Sequence, residues 1–195
     1  SGDRFVGNSA RSFGGGLALE MGPVLSATVI LSNTAERGGG LAFYAWSNPW
    51  NASASLINTV IAGNQANVDG AGMFVPPGMT VYLLQTTLAG NTGGDGAAVT
   101  QSGYPSQAPG ASTVMLTNTI VASQSVGLRV TDASTAIVNG VLWNNMPQIV
   151  AQSPEATVSI QNSHAGAPAF VNPAAGDYHL SAGSAARDAG IDNGV

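Results

Sequence analysis

Residues 54–64 read A-S-L-I-N-T-V-I-A-G-N, and the same order of residue types returns at 81–91 (V-Y-L-L-Q-T-T-L-A-G-N) and at 114–124 (V-M-L-T-N-T-I-V-A-S-Q). A self-similar unit of this size marks a chain that stacks copies of one supersecondary element, because a single unit cannot bury its own apolar face. The fold must therefore be one in which equivalent residues lie above one another.

Counting through the chain gives a register for about seven units. The first aliphatic column is Leu25, Leu56, Leu83, Leu116, Ile137 and Ile160. Two residues on stand Ala27, Asn58, Gln85, Asn118, Asn139 and Asn162. Three further come Ile30, Ile61, Leu88, Val121, Leu142 and Ala165, with Phe5 in the first unit, and three beyond these Asn8, Asn33, Asn64, Asn91, Gln124 and Asn145. The spacing two, three, three is constant within units, whereas the distance between units runs from 21 to 33 residues. Constancy inside and variation between places the insertions at one corner of a stacked coil.

Each unit continues through a glycine-rich corner, such as Gly38-Gly39-Gly40 or Gly70-Ala71-Gly72, into a short alternating segment such as Leu41-Ala42-Phe43 or Met73-Phe74-Val75. Strands separated by bends rather than reversals cannot pair with their sequence neighbours as hairpins. They can pair with the equivalent strand one unit on, at the ordinary inter-strand spacing of about 4.8 Å. The expectation is an all-β chain folded as a right-handed parallel β-helix, a single-stranded solenoid of about seven coils with a C-terminal capping segment. Residues 1–163 form the coils and residues 164–195 the last coil and the cap.

The amide columns read as structural ladders. A buried carboxamide without partners is costly, but stacked amides can bond one another or the backbone of a bend. For Asn33, Asn64 and Asn91, turn preference and a ladder account for the residues equally well. Asn58, Gln85, Asn118, Asn139 and Asn162, flanked by aliphatics at fixed spacing, are preferred as the inward ladder. Two apolar columns point the other way, Ile57, Leu84 and Val138 in one and Val29, Val60, Ile120 and Val141 in the second. An exposed stripe of that length exceeds what soluble monomers usually show. Either a segment or a partner covers it, as a lateral interface, or inward and outward are misassigned there.

Composition narrows the function classes. Charged residues are 8% of the chain, all five basic residues are arginine, and the net charge is −5. Nucleic acid and anionic polysaccharide are poor partners for such a chain, since neutralising their charge needs Lys and Arg. The absence of cysteine is compatible with an exported protein that needs no disulfides. No apolar run is long enough for a membrane-spanning helix. The chain opens at Ser1 within what reads as a repeat, so a processed or truncated piece of something longer is expected.

No catalytic constellation, metal site or cofactor is expected. Ten acids are scattered along the chain. Asp69 and Asp95 occupy equivalent corners and are weighed as a hydrolytic pair against solvated turn aspartates. No arginine falls beside an acidic cluster to serve a lyase, and His164 and His179 lack metal-ligand spacing. The column Thr28, Thr59, Thr86 and Thr119 is a partial threonine array of the kind an ice-binding surface needs. On the excursions 44–53 and 102–112, Tyr44, Trp46, Trp50 and Tyr104 are candidates for stacking on sugar rings, against the alternative that they pack down over the coil.

Gly7-Asn8-Ser9-Ala10 followed by Gly14-Gly15-Gly16-Leu17 resembles the β-helix repeat of the polymorphic outer-membrane protein type. The tail F-V-N-P-A-A-G-D-Y-H-L-S-A-G-S-A-A-R-D-A-G is similar to the closing motif of bacterial surface β-helix proteins of the choice-of-anchor Q type, with Ala185 where that pattern has Pro. The resemblance implies an exported, cell-surface protein and carries no reaction with it. The expected function is a non-enzymatic extracellular structural, adhesion or assembly module, with protein partners or self-assembly. The alternative is a carbohydrate-active β-helix that binds or cleaves polysaccharide along its loop edge.

Overall fold

The computed structural model describes residues 1–192 except 21, 45–51, 102–109, 145–146 and 152. The chain is all-β, and its parallel strands stack in a manner consistent with a β-solenoid. A seven-stranded sheet runs in the order Arg4–Val6, Val29–Leu31, Val60–Ala62, Thr87–Ala89, Ile120–Ala122, Leu142–Asn144, His164–Ala165. A six-stranded sheet starting at Leu17–Glu20 and another starting at Val24–Ser26 are built the same way from successive repeats. The connections from Leu41–Tyr44 to Ala52–Ile57, from Met73–Val75 to Met79–Leu84 and from Ala97–Gln101 to Thr113–Thr117 all join the same two sheets. The strands that flank the variable insertions therefore belong to the same two sheets in every repeat.

Strand alternation sets which residues enter the core. Along Met79–Leu84, Met79, Val81 and Leu83 are at most 2% exposed, while Tyr82 is 43% exposed. Cα pairing stacks Leu25, Leu56, Leu83, Leu116, Val138 and Ile160 in one column. A second column is Phe5, Ile30, Ile61, Leu88, Val121, Trp143 and Ala165. Each fully buried aliphatic in these columns contributes about 1.5–3 kcal/mol of apolar transfer.

The pairing corrects the sequence register in the sixth repeat by one residue. Val138, Val141 and Trp143 are inward, at 1%, 0% and 2% exposure, whereas Ile137, Asn139 and Leu142 lie in the outward registers, Leu142 there being covered to 3% exposure. Val138 and Val141 therefore leave the candidate lateral interface. The ring of Trp143 is accommodated because residue 127 is glycine, where a Cβ would stand 2.7 Å from Trp143 Cζ3.

Two corners explain the amides, and only one of the two expected ladders is built. Between the Val24 sheet and the seven-stranded sheet sit Ala27, Asn58, Gln85, Asn118, Gly140 and Asn162, all with φ between 47° and 66°. These residues supply the left-handed conformation of the bend and face outward, so Asn58, Gln85 and Asn118 form no inward ladder. Asn139, misplaced by the one-residue slip, is a strand residue paired with Thr117 and Gln161. Asn162 is exposed and donates from Nδ2 to Asn139 Oδ1 at 2.9 Å. The following threonines, Thr28, Thr59, Thr86 and Thr119, are 1% exposed. Each donates its hydroxyl to the carbonyl two residues back. They are interior corner bolts, which removes the surface threonine array.

At the next corner Ser32, Gly63 and Gly90 adopt φ of 55°, 61° and 59°. This turns Asn33, Asn64 and Asn91 inward, each 0% exposed. Asn33 donates from its backbone N and from Nδ2 to Asn64 Oδ1, at 2.9 and 3.0 Å, and Asn64 does the same to Asn91 at 3.0 and 2.9 Å. The Nδ2 groups of Asn33, Asn64 and Asn91 also donate to the carbonyls of Phe5, Ile30 and Ile61. Asn8 extends the column at its exposed end. This is the asparagine ladder of the protein.

The last segment is a strap along the flank rather than a lid over the end. Phe170–Asn172 pairs antiparallel with Asp177–Leu180. Asn172 Oδ1 accepts from Ala175 N, Pro173 starts the single 3-10 turn, and Gly176 at φ 76° ends it. Phe170 and Tyr178 meet edge to face at 5.0 Å and 74°. The hairpin packs on Leu31, Ala62 and Ala89 beside Val29 and Val60, so part of the outward apolar stripe is covered by the chain itself. Meanwhile Thr157–Gln161, the outermost strand of the Val24 sheet, leaves Ile160 47% exposed.

Candidate functional site

The acidic groups come together with arginines rather than with one another. Arg37 Nε donates to Asp69 Oδ2 at 2.9 Å and its Nη1 to Glu36 Oε1 at 3.0 Å. Arg129 Nε lies 3.1 Å from Asp95 Oδ2, and its Nη2 donates to the Asp95 carbonyl at 3.0 Å. Asp95 Oδ1 accepts from Gly70 N and Ala97 N, both at 3.1 Å, and Oδ2 accepts from the Thr100 hydroxyl. With side chains only 24% and 11% exposed, Asp69 and Asp95 are not the solvated turn residues considered from sequence, and each is paired with an arginine. Both are part-buried corner pins, with Asp95 engaged through both carboxylate oxygens and Asp69 through Oδ2. The expectation that no arginine falls beside an acidic cluster is corrected at Arg37, which meets both Glu36 and Asp69, because stacking brings residues about thirty apart in sequence into neighbouring coils. Among the described residues no group of three acidic, histidine or cysteine side chains is placed to hold a metal ion.

A concave feature lies between the strap and the outward amides. A groove of about 450 Å³ is lined by Asn58, Gln85, Thr87, Val60, Tyr178 and His179 among others. A second recess of about 320 Å³ continues past Gln85 to Asn118, Ile120, Leu142 and Gly190. A third, of about 310 Å³, runs the other way to Arg4, Leu31 and Gly176. Tyr178 borders all three, and Gln85 is shared by the first two. Burial pushes the Tyr178 phenol above its ordinary range. Asp177 is held below the usual carboxylate range by the backbone N–H of His179 and then by the His179 ring, whose Nδ1 lies 2.6 Å from Asp177 Oδ1.

Asn118, a corner amide of this column, is tied to the strap. Its Nδ2 donates to Ile191 O at 2.9 Å and its Oδ1 accepts from Ile191 N at 2.8 Å. The carboxamide thus reads both polar groups of a single residue. Gly140 leaves room for the Ile191 side chain, since a Cβ there would stand 3.2 Å from Ile191 Cγ1.

The sequence-predicted residues divide accordingly. Val29, Val60 and Ile120 stand on the flank the strap crosses, with Val29 and Val60 packed against the Phe170–Tyr178 cluster. Ile57 and Leu84 are half-buried outward residues of the Val24 sheet. Tyr44 ends the strand Leu41–Tyr44 and is half-buried, while Trp46, Trp50 and Tyr104 lie outside the described residues. His164 stands outward in register with Leu142. Sequence reasoning missed the groove itself. The nearest signal was an amide before threonine with no left-handed residue ahead of it, at Asn58-Thr59, Gln85-Thr86 and Asn118-Thr119, since the inward Asn33 and Asn91 are also followed by threonine but come after Ser32 and Gly90. No helix among the described residues is long and apolar enough to cross a membrane. No known family model, curated protein or solved structure matches this chain.

Proposed function

We propose that the protein is a non-enzymatic structural module, a right-handed parallel β-helix of about seven coils that works on a cell surface by adhesion or assembly. The observation that carries this reading is the pairing of its part-buried carboxylates. Acid catalysis of glycoside cleavage needs two carboxyl groups facing one substrate bond, and here Asp69 and Asp95 each point at an arginine on the corner. The extended feature offered to a partner is instead a polar-and-aromatic flank stabilised by the chain's own tail. The resemblance of that tail to the closing motif of bacterial surface β-helix proteins supports the extracellular setting.

The test is incubation of the protein with a panel of neutral and acidic glycans, followed by analysis for chain shortening or unsaturated products. The expected result is unchanged glycans. Product release would establish the carbohydrate-active alternative and overturn this reading.

A further inference from the structure

The contact between Asn118 and Ile191 shows what this corner column can recognise. In an extended peptide the N–H and C=O of one residue point the same way, and a carboxamide presents a donor and an acceptor at matching separation. Asn118 uses both, at 2.9 and 2.8 Å. Directly along the stack, Gln85 and Asn58 occupy the same left-handed seats, with φ of 50° and 49°. Both are exposed and line the open groove. The groove is therefore continuous with a place where peptide is already seated, and it repeats the same reading group on the same scaffold.

We infer that the groove beside Asn58 and Gln85 binds an extended polypeptide segment, gripped through its backbone by these two carboxamides. This rests on the assembly reading above and gives it a partner chemistry. The pitch of the stack, about 4.8 Å, is shorter than the roughly 6.6 Å between same-facing residues of an extended chain. Gln85 has one methylene more of reach than Asn58, so the two neighbouring amides are assigned to residues two apart in the bound segment. The apolar side of Val60 and the ring of Tyr178 form the floor against which small or aliphatic side chains rest. The strap supplies the pattern, with Ala189, Gly190 and Ile191 at the seated end.

The probe is a fluorescein-labelled peptide of the strap's own sequence, G-S-A-A-R-D-A-G-I-D, titrated into the full chain and followed by anisotropy. Asn58→Gly and Gln85→Gly remove the carboxamides without straining the corner, as Gly140 in the same column shows. The expected result is saturable binding that each substitution weakens by about tenfold, the effect of losing about two hydrogen bonds. Absence of saturable binding up to millimolar peptide overturns the inference. So does binding that the double variant leaves unchanged, which would place the peptide at the Asn118 seat. A neutral glucan hexasaccharide is the counter-probe, and its binding with loss in both variants, without peptide binding, would assign the groove to glycan instead. Peptide failure alongside unchanged glycans sinks this inference alone, whereas glycan cleavage sinks the reading beneath it.

Discussion

Replacing Asn64 by alanine separates an interior ladder from a decorative one. The substitution removes the Oδ1 that accepts from Asn33 N and Asn33 Nδ2, and the Nδ2 that donates to Ile30 O and Asn91 Oδ1. Asn33 Nδ2 keeps Phe5 O, and Asn91 Oδ1 keeps Asn64 N, so both are only weakened. The Asn33 backbone N–H is left without its acceptor at a 0% exposed position, and Ile30 O loses a donor. One stranded buried donor, at about 1–3 kcal/mol, and the lost bonds around it sum to about 3–4 kcal/mol. For a chain of this length that lowers Tm by about 10 °C.

The control is Asn58→Gly, at an exposed corner residue with φ 49°. Glycine takes that conformation without strain, so stability should move by no more than about 0.5 kcal/mol. Asn64→Asp adds a sign. Its second oxygen would replace Nδ2 and face Ile30 O and Asn91 Oδ1, both acceptors, so burial and lone-pair repulsion raise the folded-state pKa. The stability of that variant is fully present below the ordinary carboxyl pKa of about 4 and lost as pH rises through the raised value. Calorimetric scans at one fixed rate measure all three. An Asn64→Ala Tm within about 2 °C of the parent, or an Asn58→Gly loss equal to it, would refute the assignment of inside and outside.

Two further outcomes follow from single contacts. Gly127→Ala places a Cβ 2.3 Å from Gln148 O and 2.7 Å from Trp143 Cζ3, and overpacking of this kind should cost about 1–3 kcal/mol, read as a lower urea midpoint. Tyr178 is favoured as the neutral phenol by its burial, so its contribution is intact below the ordinary tyrosine pKa of about 10 and lost as pH rises through the raised folded value. Ultraviolet titration of phenolate should therefore show a late component that Tyr178→Phe abolishes, and an unchanged curve would contradict the packing of the strap.

The stacking was legible because it depends on pattern alone. Leu25, Leu56, Leu83 and Leu116 fall in one column on the strength of identical spacing, and Asn33, Asn64 and Asn91 do likewise. The strap was less legible. Its motif residues are explained by a cap, a turn and an aromatic pair within residues 170–180, all local, whereas its path along the flank depends on contacts with residues more than a hundred positions earlier, such as Leu31 and Ala62. No periodicity encodes such a docking.

Two of the misreadings have separate physical causes, and one of them leaves a rule. In the sixth repeat Ala136, Ile137 and Val138 are all apolar, so alternation cannot choose a face. Asn139 then imitated the corner amide whose seat Gly140 actually holds, at φ 66°. The exchange of ladders is more instructive, since a left-handed bend favours asparagine whether its side chain ends inside or outside. The preceding residue separates the cases. Where Ser32, Gly63 or Gly90 already supplies the left-handed residue, the next asparagine is free to turn inward and bond along the stack. Where the amide is itself the left-handed residue, as at Asn58 and Gln85, the following threonine takes the interior seat and the amide is forced outward. The residue before the amide therefore carries the distinction and the threonine after it does not, since the inward Asn33 and Asn91 are also followed by threonine, and a Gly63→Asn substitution should keep the ladder at Asn64 while adding a second outward amide one corner away.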